Sequence, residues 1–200
     1  MSRSESRLSL SRAQLEGGKL LKSLRPHCLR AEIAGSVRRR KTDVGDVEIV
    51  CIPRWVLEQD ESNLFTEEQV LVNRVTRWAR EDGTDACGIV WTPRPYPESK
   101  LLRGLHYPSG LRIELHLVPA PVWGMALQIR TGNAEFSKAF QHQLGRRGLQ
   151  CRDLQVTRKE DGTILPTPEE ADVFRLTGLE WVEPEARTGY ASLRATCDRG

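Results

Sequence analysis

The sequence predicts an α+β protein: a mixed β-sheet backed by helices over residues 1–121, followed by a smaller C-terminal α/β lobe over residues 122–200. Three observations lead there. Short runs that alternate apolar and polar residues recur from Ala31 to Val118, the clearest being Leu111-Arg-Ile-Glu-Leu-His-Leu117. Stretches with apolar residues at helical spacing stand among those runs and supply a backing layer. After Pro119-Ala120-Pro121 the pattern changes to short helices with a few extended segments, which marks a lobe boundary near residues 119–123. Two hundred residues are enough for one core and a smaller lobe.

In order along the chain, residues 11–24 form a helix capped by Ser11, with Leu15, Leu20, Leu21 and Leu24 as its apolar face and Pro26 as its stop. A strand at residues 31–34 enters Gly35-Ser36, a basic turn Arg38-Arg39-Arg40-Lys41 follows, and residues 46–52 form a second strand that ends at Pro53. Residues 66–80 read as an amphipathic helix, with Leu71, Val75 and Trp78 on one face and Asp82-Gly83 as the break. Strands follow at 88–91, 100–107 and 111–118. In the second lobe the spacing gives helices at 122–128, 134–144 and 168–176, extended chain at 149–157 and 163–165, and a turn at Asp161-Gly162. The last ten residues are expected to fray, and the tryptophans at 55, 78, 91, 123 and 181 are expected in the core.

Composition narrows the function classes. With 38% hydrophobic and 28% charged residues the chain is neither disordered nor fibrous. It has no apolar run near the ~18 residues that span a bilayer and no secretory signal, so no membrane association and a cytoplasmic location are expected. Its five cysteines are scattered and never form CxxC, which fits reduced thiols. A net charge of +3 permits nucleic-acid binding without demanding it. The four histidines lack a metal-ligand spacing, and Gly17-Gly18-Lys19 lacks the Ser or Thr of a phosphate loop.

The chemistry concentrates on two strands. Asp46 and Glu48 lie at i and i+2, so both carboxylates leave the same face. On the alternating strand, Arg112, Glu114 and His116 form the polar face and Glu114 is its only acid. If these strands are neighbours, three carboxylates converge, and divalent cations with oxygen ligands relieve their repulsion; magnesium is the expected occupant. Gly35-Ser36, standing after a strand and before three arginines, offers N–H groups and a hydroxyl to a phosphate. Each feature alone is ordinary; their order along one chain is not.

The stretch Ile33-Ala-Gly-Ser-Val-Arg-Arg-Arg-Lys-Thr-Asp-Val-Gly-Asp-Val-Glu-Ile-Val50 resembles the nucleotidyltransferase motif of the X family of DNA polymerases. Gly110-Leu-Arg-Ile-Glu-Leu-His-Leu-Val-Pro119 resembles the strand with that family's third catalytic acid, Thr131-Gly132 its Thr-Gly turn, and the segment from Thr167 to Arg187 its C-terminal part. The resemblance implies a palm and a thumb-like lobe, acting as a metal-dependent DNA-directed DNA polymerase in gap-filling repair. It implies Asp46, Glu48 and Glu114 as catalytic metal ligands for two Mg2+ ions, with Mn2+ as a substitute. Gly35, Ser36, Arg39 and Gly45 match triphosphate positions, Thr131 and Gly132 the sugar and base, and Ser137 and Lys138 the nascent pair.

Lys100, Arg103, Arg146, Arg147, Arg152 and Arg158 are the candidate contacts to primer-template or gapped DNA. Glu48 and Glu114 stand where that family commonly has aspartates, which bears on metal preference and admits Mn2+, whereas Ile129-Arg130 replaces an aromatic pair, so ribonucleotides join deoxynucleoside triphosphates as expected substrates. The resemblance starts at the palm, without lyase or fingers, and implies a monomer that holds DNA by palm and thumb. Two rival readings keep part of this: an untemplated transferase acting on RNA, a protein or a small molecule, and a catalytically silent nucleic-acid-binding module.

Overall fold

The alternating strands expected at 46–52 and 111–118 become the centre of a five-stranded sheet. The structure, a computed structural model, describes residues 7–59, 69–85 and 87–195, with the side chains of 82–85 left aside. In chain order the first part comprises β1 (Leu8–Ser9), α1 (Leu10–Leu24), β2 (Cys28–Ile33), α2 (Gly35–Arg38), β3 (Asp43–Val44), β4 (Asp46–Pro53), β5 (Trp55–Gln59), β6 (Gln69–Asn73), α3 (Arg74–Asp85), β7 (Ile89–Trp91), β8 (Leu101–His106) and β9 (Leu111–Leu117). The second comprises α4 (Trp123–Thr131), α5 (Ala134–Arg146), β10 (Leu149–Arg152), β11 (Gln155–Arg158), β12 (Ile164–Leu165) and α6 (Glu170–Thr177).

The main sheet runs β2-β4-β9-β8-β7. Only β4 and β9 pair in parallel; the other three pairings are antiparallel, so the sheet is mixed as expected. A parallel pair needs a crossover, and here the crossover carries α3 to the back of the sheet. Val47, Ile49, Ile113 and Leu115 face that side and bury against Ala13, Leu20 and Leu24 of α1 and Val75, Trp78 and Ala79 of α3. Each such fully buried aliphatic side chain contributes about 1.5–3 kcal/mol. Gly17 lets α1 approach closely: a Cβ there would press on Ile33 and Val47 at 3.3 Å.

The second part has its own core of Phe136, Phe140, Leu144, Val173 and Phe174, with Phe140 edge-on to Phe174 at 5.0 Å. Its strands form a separate antiparallel sheet, β10-β11-β12. A third cluster joins the two parts: Ala34, Val50 and Val118 meet Val122, Trp123, Ala126 and Leu127 of the α4 region. No helix among the described residues is long and apolar enough to cross a membrane.

Several local expectations are corrected. The cap of α1 is Ser9, whose hydroxyl accepts from the Arg12 N–H, and not Ser11. Leu15 is exposed while Ala13, Glu16 and Gly17 are buried, which rotates the apolar face. The helix read at 66–80 is a strand followed by a helix: β6 pairs with β5, α3 starts at Arg74 and continues past Asp82-Gly83, and residues 66–68 lie outside the described residues. Asn73 explains the start of α3, because its side-chain oxygen accepts from Val75 and Thr76 N–H. Trp55 and Trp181 are partly exposed, not core. The fraying expected of the last ten residues falls partly outside the described residues, as does Cys197; Cys28, Cys51, Cys87 and Cys151 are free thiols.

Candidate active site

Parallel register decides the site. Glu48 pairs with Glu114, Asp46 with Arg112 and Val50 with His116. Register partners on adjacent strands project to the same side, so Asp46, Glu48, Glu114 and His116 share the face opposite the apolar core. His116 Nε2 stands 3.4 Å from Glu114 Oε2 and 3.7 Å from Glu48 Oε1. One ligand atom from each of Glu48, Glu114 and His116 falls within 4.8 Å of the others.

The electrostatics follow from this crowding. Burial, and then the neighbouring Glu48 carboxylate, push the Asp46 carboxyl above its usual range, against the pull of the Arg112 guanidinium. Arg103 lies alongside, its Nε donating to Glu114 Oε1 at 3.0 Å. That contact holds one oxygen of Glu114 and turns the other toward His116.

At the start of α2, Gly35 has φ +62°, and a Cβ there would collide with the Glu48 carboxylate. Only glycine meets both demands. Ser36 Oγ and Arg39 Nε are buried and have no hydrogen-bond partner. Burial lowers the Arg39 guanidinium from its usual range, and Glu48 and Asp46 oppose that shift. Gly45 lies near Arg112, 3.7 Å from the position a Cβ would take.

The basic turn is divided in a way the sequence did not indicate. Arg38 pairs with Glu170 at 2.8 Å and donates to Thr131 Oγ1 at 2.7 Å, and Arg40 pairs with Glu185 at 2.9 Å. Arg39 has Glu48 and Asp46 as its charge partners, and its Nη1 donates to the Thr131 carbonyl. Thr131 is the buried last residue of α4, and its hydroxyl and carbonyl aim Arg38 and Arg39. Gly132 caps α4, and a Cβ there would press on Phe136 and Ser137 at 2.9 Å. Ser137 donates to the Ile129 carbonyl at 3.3 Å, and Lys138 is exposed at the start of the second turn of α5.

The six basic residues do not form one surface. Arg103 belongs to the acid cluster. Lys100 and Arg152 line a cavity of about 570 Å³ between the two parts, together with His116, Arg130 and Asp153. Arg146, Arg147 and Arg158 gather where α5 runs into β10, since Arg158 is in register with Leu149. Sequence reasoning placed His116 on the right face but could not supply its distance to Glu48. It missed Glu170, which holds Arg38 of the basic turn from 132 residues away, and Arg187, which binds the same Glu170, and no periodic pattern links those positions.

Residues 126–188 match the family model described as DNA polymerase beta thumb. The chain is 26% identical over 167 residues to DNA polymerase lambda of Rattus norvegicus, across 76% of this chain and 28% of that protein. It thus spans well under a third of the relative's length.

Proposed function

We infer that this chain, a member of the X family of DNA polymerases, adds deoxynucleotides to a primer 3′-hydroxyl opposite a DNA template and fills short gaps in repair. The observation that carries the reading is the parallel register of Glu48 with Glu114, which draws three carboxylates onto one sheet face beside Gly35 and Ser36. In this reading residues 1–121 are the palm and 122–200 the thumb.

The donor set suits divalent cations: carboxylates that repel one another, an Asp46 whose ionised form is disfavoured without a counter-charge, and ligand atoms within 4.8 Å. Two bound Mg2+ ions, or Mn2+, would neutralise the charge that develops on the transferred phosphoryl group and favour loss of the hydroxyl proton. Asp46 and Glu48 would hold both, and Glu114 the one on the primer side. The chain's other groups then have distinct tasks. Ser36 Oγ and Arg39 Nε, both unsatisfied, are available to triphosphate oxygens. Thr131 keeps Arg39 pointed at the acids through its carbonyl. Gly132 offers bare backbone to the sugar, Gly45 adjoins the triphosphate, and Ser137 and Lys138 lie toward the nascent pair. Lys100, Arg152, Arg146, Arg147 and Arg158 would bind DNA phosphates, which makes binding salt-sensitive.

The test is extension of a labelled primer on a one-nucleotide-gapped duplex, with each deoxynucleotide and ribonucleotide offered separately and Mg2+ or Mn2+ present. Template-directed extension by the wild type and at least a hundredfold loss in Asp46→Ala is the expected result. Addition regardless of the template base would replace this reading with an untemplated transferase. DNA binding without turnover under either metal would leave a silent binding module.

A further inference from the structure

We propose that His116 is a direct metal ligand, which makes the centre at Glu48 and Glu114 a mixed nitrogen–oxygen site that prefers manganese to magnesium. The inference rests on the metal-dependent reading above and deepens it, since that reading assigns carboxylates alone.

Four observations carry it. His116 is 5% exposed, and its Nε2 is buried without a hydrogen-bond partner. A polar atom left in that state costs about 1–3 kcal/mol, so such atoms in a folded core call for a partner. The atom points into a pair of carboxylates at 3.4 and 3.7 Å. These separations exceed the roughly 2.7–2.9 Å of a charge-assisted hydrogen bond, so neither glutamate holds Nε2 by itself. They leave a gap that a cation fills by drawing its ligands inward. Arg103 occupies Glu114 Oε1, and the Gly35 backbone packs against the Glu48 Oε2 side. The oxygens left toward the gap, Glu114 Oε2 and Glu48 Oε1, are the two that His116 faces.

The chemistry of the donors sets the metal. Mg2+ selects oxygen ligands and retains its waters, whereas the first-row transition-metal ions also take imidazole nitrogen. Mn2+ accepts both carboxylate and imidazole. Asp46 lies outside the trio of ligand atoms, so a second ion held by Asp46 and Glu48 would have oxygen ligands only. Two inequivalent positions result, of which one discriminates between Mn2+ and Mg2+.

The experiment is pulsed electron paramagnetic resonance of Mn2+ alone added to the full chain without a histidine tag, in natural-abundance and 15N-histidine forms. A directly coordinated histidine nitrogen is expected, with its coupling changed by the isotope and absent in His116→Gln. Mn2+ affinity should fall roughly tenfold or more in that variant, while Mg2+ affinity, from competition at the oxygen-only position, stays within about twofold. Bound Mn2+ with no histidine coupling in the wild type would overturn the proposal and leave the carboxylate reading intact. Coupling that survives in His116→Gln would overturn it too. If neither the wild type nor Asp46→Ala retains Mn2+, the metal-dependent reading itself falls. Should His116→Gln not fold, the wild-type isotope comparison and a His116→Asn variant decide.

Discussion

The carboxylate face of β4 and β9 and the seam between the two parts both gather charge that is partly or wholly withdrawn from water, but they treat it in opposite ways. At the seam, Arg38 and Arg187 both bind Glu170, and Arg30 binds Glu169 at 2.7 Å while its guanidinium lies 4.6 Å from the Trp123 ring centre. Arg187 is fully buried, with the rings of Phe136, Phe174 and Trp181 around it. Burial lowers its guanidinium from the usual range and Glu170 opposes that shift. On the sheet face, Asp46, Glu48 and Glu114 are alike in sign. Unpartnered buried polar atoms occur in both regions, Ser36 Oγ, Arg39 Nε and His116 Nε2 here and Arg187 Nη2 at the seam, so the sign of the gathered charge is what differs. Opposite charges brought together hold a position. Like charges brought together store repulsion that a ligand relieves. The two regions meet at α2, where Arg38 serves the seam and Arg39 the acids.

The largest expected effect breaks the seam. Glu170→Ala leaves Arg187 buried without its acid, and stability should fall by about 3–5 kcal/mol in urea unfolding. A loss below about 1 kcal/mol would mean that the pairing is incidental and that the two regions do not differ as described. Next in size is Gly124→Ala. The α4 backbone passes so close to α6 that a Cβ at 124 would collide with the Glu169 carbonyl and the Glu170 N–H, so about 1–3 kcal/mol should be lost. Unchanged stability would show that α4 and α6 can separate freely.

The smallest effect is the sharpest in sign. Glu48→Gln removes one of the mutually repelling charges, so in a chelator the variant should match or exceed the wild type by up to about 1 kcal/mol. Adding Mn2+ should reverse that order, as measured by thermal unfolding with and without the ion. If the variant is less stable under both conditions, Glu48 is a structural acid and the contrast with Glu170 disappears.

Legibility differed between these regions for a physical reason. Strand alternation is a local property, so Asp46-Val-Glu-Ile49 and Leu111 to Leu117 could be read for which side chains share a face, and that much reached the carboxylates directly. The same method failed at Leu71, Val75 and Trp78, where helical spacing coincided with the end of β6 and the start of α3; the pairing of Leu71 with Leu57 decided the matter. Trp55 and Trp181 were misplaced because residue type alone does not say which edge an element occupies.

What the sequence by itself determined is the set of alternating strands, the helical backing and the facing of Asp46, Glu48, Glu114 and His116, because period and residue type settle those within a few positions. Only the tertiary structure decided that β4 and β9 lie side by side in parallel, that Glu48 stands opposite Glu114, and that Arg38 belongs to Glu170. These depend on contacts between residues far apart in the chain, whose free energy comes from packing and desolvation around both partners at once. No local pattern encodes that sum.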